Sequence, residues 1–151
     1  MTSFFAARDW TPGQSVVELA LATPILVLLL LAAADFGRLF YVWIAVNNAA
    51  RAGAQYGSQS VTTAANSTGM QLAATTDGAN ISGLTATASQ CTCVTGTSVT
   101  VCSGSAYNCT SAPQATYVEV DTQATFSTVV SYPGIPSSVT VRGTAIMQVS
   151  G

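Results

Sequence analysis

The 151-residue sequence contains no lysine and no histidine, and only 7% of its residues are charged, against about 25% in an ordinary soluble protein. Without histidine there is no Ser-His-Asp or Cys-His arrangement and no His-containing zinc site. The four arginines, Arg8, Arg38, Arg51 and Arg142, are scattered, and the net charge is −2. Binding a nucleic acid backbone needs clustered cations, so no nucleic acid partner is expected. The polar residues that remain are mostly Ser, Thr, Asn and Gln, concentrated after residue 57. They make a hydrated, nearly uncharged surface, commoner outside cells than in cytosol.

What the sequence has instead is a long apolar run. From Leu19 to Ala34 there are 16 residues without a charge, and the apolar pattern extends from Val16 to Val46, interrupted by Glu18 and at Asp35–Arg38. A span needs about 20 residues, so this segment is long enough to cross a bilayer. Asp35 and Arg38 stand three apart, so on a helix they can pair. Tyr41 and Trp43 are of the type enriched at membrane interfaces. The alanine-rich stretch to Tyr56 favours helix, with Gly57 expected as its C-cap. One helix over Ser15 to Tyr56 would be on the order of 60 Å long, and Pro24 should kink it. Glu18 is the anomaly, because a carboxylate deep in a span costs about 2.5–3.5 kcal/mol on insertion scales and usually has a function. A secretory signal peptide ending before Asp35 is the competing reading. Its apolar core is usually about 7–15 residues, which this run exceeds, and the helical pattern continues past the site.

Gly13-Gln14-Ser15-Val16-Val17-Glu18 followed by an apolar run resembles the start of type IV prepilins. The longer segment "GQSVVELALATPILVLLLLAAADFGRLFYVWIAVNNAARAGAQYG" is more closely similar to TadE-like pseudopilins of the Tad (Flp) pilus system. The Glu, the Pro six residues later, the acidic-Phe-Gly-Arg unit and the Ala-Ala-Arg-x-Gly-Ala unit follow in that family's order. The tail "YVEVDTQATFSTVVSYPGIPSSVTVRGTAIMQVS" resembles its C-terminal strands more loosely. The resemblance implies a leader over residues 1–13, cut after Gly13 by a prepilin peptidase, with Gln14 as the mature N-terminus. Glu18, then the fifth residue, would meet the N-terminal ammonium of a neighbouring subunit and set register. Major Flp pilins typically carry an aromatic after this Glu, whereas Leu19 stands here. With the large C-terminal region, that favours an accessory subunit.

Beyond the helix (14–57) the expected organisation is a polar linker or short helix over 58–83 and a β-rich domain over 84–151. The short helix is expected around Ser67–Thr76, anchored by Met70, Leu72 and Ala73. "VEVDTQATF" alternates, with Val118, Val120 and Phe126 on one face and Glu119, Asp121 and Gln123 on the other. Val139, Val141, Ala145, Met147 and Val149 share a face of a second strand, and "SYPGIPSS" between the two is rich in turn formers. The fold class is therefore α+β: a long, partly transmembrane helix and a small antiparallel sheet whose apolar face packs on the helix. Glu119 and Asp121 could be read as a glycosidase acid pair, but i,i+2 spacing is what any half-buried strand gives. A solvated strand face, with Arg142 across the hairpin, is the preferred reading.

The four cysteines, Cys91, Cys93, Cys102 and Cys109, lie outside the usual zinc spacing, and an oxidising compartment favours two disulfides. Of three possible pairings, Cys93–Cys102 with Cys91–Cys109 is the one taken, since the first closes the "VTGTSVTV" segment. The Asn66, Asn80 and Asn108 sequons arise readily by chance in Ser/Thr-rich sequence and carry no weight. No cofactor, metal or enzymatic reaction is expected. Expected partners are other pilins or pseudopilins, the prepilin peptidase, the pilus assembly platform and membrane lipid. The expected location is a bacterial inner membrane, with the C-terminal domain in the periplasm or carried into a pilus. A plain single-pass anchor displaying an adhesive binding module is the alternative. Mass spectrometry of the mature chain separates them: a start at Gln14 is expected, an intact N-terminus would indicate the plain anchor, and a start at Asp35 a secreted domain.

Overall fold

The computed structural model describes residues 13–93, 115–130, 134 and 136–150. Their order is α1 (Gln14–Gly57), α2 (Val61–Ala64), α3 (Ser67–Asp77), β1 (Thr85–Cys93), β2 (Ala115–Ser127) and β3 (Ser138–Gln148). The chain divides into two compact units, Met1–Gly37 and Arg38–Gly151. In the first, the described residues are Gly13 and the front of α1, with Pro24 inside the helix. The class is as expected: a long N-terminal apolar helix, then a three-stranded antiparallel sheet.

In the second unit the strands form a meander with β2 in the centre. Val120 of β2 lies opposite Ala88 of β1 and Ala145 of β3, which fixes one face of all three strands. That face carries Val118, Val120, Ala124, Phe126, Val141 and Ala145, all buried. A sheet with one apolar face must cover it with another element. Here the cover is the rear of α1, whose Val46, Ala50 and Ala54 are fully buried with the sheet residues in two apolar clusters.

The covering face of α1 is built from small residues. A β-carbon at Gly53 would sit 2.8 Å from the backbone oxygen of Met70 and 3.0 Å from a methyl of Val120. One at Gly57 would collide with the Met70 thioether. Gly57 is therefore not the expected C-cap: it is the last residue of α1, and the left-handed glycines among the described residues are Gly83 and Gly134. Packing demands the glycine there. The same close fit recurs across the sheet, where a β-carbon on Gly143 would lie 3.0 Å from both Asn47 Cα and the Val46 oxygen.

Polar groups fasten the edges of this core. Ser60 caps α2 reciprocally with Thr63, and Asn66 caps α3 by accepting from Gly69 N–H at 2.9 Å. Asn66 also donates to Tyr56 Oη at 3.2 Å, and Asn80 donates to Tyr41 Oη, so both asparagines have structural roles. At the chain's end Ser150 N–H donates to Ser58 O at 2.9 Å, tying β3 to the end of α1. Thr122 occupies an apolar-face position of β2 and is 2% exposed. Its hydroxyl donates to Val46 O at 2.7 Å, with Gly143 O 3.3 Å away.

Three expectations need correction. Glu119 is 4% exposed, so it does not belong to a solvated strand face. Strand alternation assigns a residue to a face but does not say whether that face meets water. Arg142 faces Gln123 across the ladder, while Asp121 faces Thr144 and accepts its hydroxyl. In α3 the buried residues are Met70 and Ala74, whereas Leu72 is 66% exposed; residues two apart point to different sides of a helix. The predicted disulfide pairings involve Cys102, Cys109 and the Cys93 side chain, which lie outside the described residues.

Two substitutions test this packing in the full chain in detergent. Gly53→Ala pushes a methyl into a backbone carbonyl and should destabilise by about 1–3 kcal/mol through overpacking. Thr122→Val keeps the volume but removes the bond to α1, and should cost about 0.5–1.5 kcal/mol. Thermal or denaturant unfolding followed by circular dichroism reads both.

Candidate assembly helix

The first helical residue is Gln14, and the carbonyl of Gly13 accepts from Val17 N–H at 3.3 Å. Gly13 therefore stands at the junction where helix begins, and among the described residues a β-carbon added there would meet nothing within 4 Å. The predicted scissile bond, Gly13–Gln14, lies at that junction. Glu18 is four residues into α1, so it shares a face with Gln14 one turn away, about 6 Å along the axis.

From Val16 to Leu30, Glu18 and Thr23 aside, the helix is apolar on every side. Val16, Val17, Leu19, Leu21 and the run Ile25–Leu30 are all large apolar residues, and their exposure ranges from 47% at Val27 to 71% at Leu21 and Leu30. Such a surface needs lipid or other helices around it. The helix is long and apolar enough to cross a membrane. Its one hydroxyl in this stretch, Thr23, donates back to Leu19 O at 2.7 Å, which satisfies it without a solvent partner.

Asp35 and Arg38 stand one turn apart on α1, and Asp35 is buried. The Arg38 guanidinium carbon lies 5.5 Å from the ring centroid of Phe126, within the range of a cation–π contact. Further along, the helix is two-sided. Val46, Ala49, Ala50, Gly53, Ala54 and Gly57 are buried, while Asn48, Arg51 and Gln55 are exposed.

The two strand carboxylates do not converge. A depression of about 380 Å³ on the outer sheet face is lined by Thr85, Thr87, Asp121, Gln123, Arg142 and Thr144 among others. Glu119 is not in its lining. Sequence reasoning missed Thr122 as a fastening point. Its signal was one polar residue in the apolar register of Val118, Val120, Ala124 and Phe126.

No curated protein and no solved structure matches the chain. Residues 13–55, from the Gly13 junction almost to the end of α1, match the family model described as TadE-like protein.

Proposed function

We propose that this chain is an accessory, pilin-like structural subunit of a Tad-type pilus or secretion apparatus, acting in its assembly or initiation. The observation that carries the reading is the front of α1: helix begins at Gln14 directly after Gly13, with Glu18 one turn in and bare apolar surface around it. A prepilin peptidase would cut at Gly13–Gln14. The new ammonium of one subunit then meets Glu18 of its neighbour in a helix bundle. Pairing suits a low-dielectric setting, where an ion pair holds if geometry is good and breaking it strands a charge. The helix packs laterally on other pilin-like helices, first in the inner membrane at the assembly platform and then in the apparatus.

The folded unit lies on the periplasmic side, or outside the cell once assembled. Its compartment is oxidising, a reading supported by four cysteines, an even number, within residues 91–109. Nothing in this role calls for a reaction. The energy for extracting the helix from lipid comes from other components.

The test is complementation of a strain lacking the gene, at matched protein level. Glu18→Ala should reduce pilus assembly at least about tenfold, since one unpaired buried charge is worth about 3–5 kcal/mol. Glu18→Gln should be impaired as well, because it keeps the shape and loses the charge. Normal assembly by Glu18→Ala would remove Glu18 from the mechanism.

A further inference from the structure

Within the folded unit α1 and β2 run in opposite directions. Gly57 at the end of α1 meets Val118 near the start of β2, and Arg38 lies over Phe126 near its end. The end at which the chain enters this unit is therefore also the end from which the β2–β3 connection springs. Its chemistry differs from the rest of the surface. On α1, Phe40, Tyr41, Trp43 and Ile44 are 51–60% exposed. One turn later the exposed positions are Asn48, Arg51 and Gln55. From the sheet, Val129 is 68% and Val139 42% exposed. Val129 follows the Thr128–Ser137 bond that closes the ladder beyond Phe126.

Charge thins out at the same level. Residues 127–139 contain no charged group, and Arg38 is the sole one between residues 38 and 50. The Tyr41 hydroxyl is held by Asn80, which leaves the ring body bare. Aromatic residues with one polar atom and an apolar body suit the water–lipid boundary. Helix length agrees: a bilayer core takes about 20 helical residues, and that count from Glu18 reaches Arg38.

We propose that this end of the folded unit sits in the lipid headgroup region at two points, residues 40–44 of α1 and the root of the β2–β3 connection at Val129 and Val139. A single helix would let the unit swivel. A second lipid contact from the sheet fixes its tilt, and so fixes which way the outer sheet face is presented. The inference rests on α1 spanning the membrane.

Fluorescence quenching by brominated lipid tests it in the full chain, reconstituted in phosphatidylcholine–phosphatidylglycerol vesicles. Trp10→Phe leaves Trp43 alone; adding Trp43→Phe gives a background for single probes Val129→Trp, Thr87→Trp and Leu29→Trp. All three sites are exposed, so the substitutions should leave the fold intact. Bromines near the glycerol end of the acyl chains should quench Trp43 and the residue-129 probe by roughly half, as for groups buried some 5–10 Å into the interface. The residue-87 probe should be untouched. If the residue-129 probe is quenched no more than the residue-87 probe, the seat is refuted. Blue-shifted but unquenched emission at 43 and 129 would mean that protein, such as a second copy, covers this surface, and refutes it too. Failure of the underlying span reading looks different: the residue-29 probe would then escape bromines at the bilayer centre.

Discussion

The architecture depends on how closely the backbone of α1 can approach its neighbours. A three-stranded sheet with one apolar face is too small to form a core alone, and α1 completes it. The approach is set by absent side chains: Gly53 admits the Met70 carbonyl, Gly57 its thioether, and Gly143 brings β3 against the backbone at Val46 and Asn47. With so little side-chain volume on the helix, Met70, Val118, Val120 and Phe126 supply the bulk. Thr122 then reaches a helix carbonyl directly, a bond possible only at this short separation.

One helix serves two surroundings, and its pattern changes to match. Up to Gly37 the apolar residues surround the axis, which is the pattern of a helix wholly immersed in apolar material. After Arg38 the buried positions recur every three or four residues, and exposed positions turn polar beyond Ile44. No break in secondary structure marks the change. The segment that would hold a subunit among its neighbours and the one that organises the folded unit belong to the same run of helical residues, Gln14–Gly57.

Much of this was legible in the sequence because it depends on period. The helix is bounded within a residue of where composition placed it, and the strand faces follow the alternation at Val118–Phe126 and Val141–Val149. The Gly13–Glu18 spacing pointed to the family that residues 13–55 match. What escaped depends on partners distant in the chain. Glu119 has the period of a surface residue and the exposure of a core one. Leu72 is the most apolar residue of α3 but faces away from Met70 and Ala74. Gly57 reads as a helix stop until Met70, thirteen residues later, is seen to need its space. Composition cannot supply these facts, since each is a property of two surfaces brought together.

The hydrogen bond from Val17 N–H to the Gly13 carbonyl carries one more consequence. In the uncut chain that carbonyl is an acceptor at the positive pole of α1. Hydrolysis of the Gly13–Gln14 bond would carry the acceptor away with the leader and put an ammonium in its place. The Val17 amide hydrogen would then lose the acceptor it has in its own chain. Processing would thus do more than shorten the protein: it would take one oxygen acceptor from the first turn and leave a cationic helix end, whose demand for oxygen ligands is itself a drive toward association.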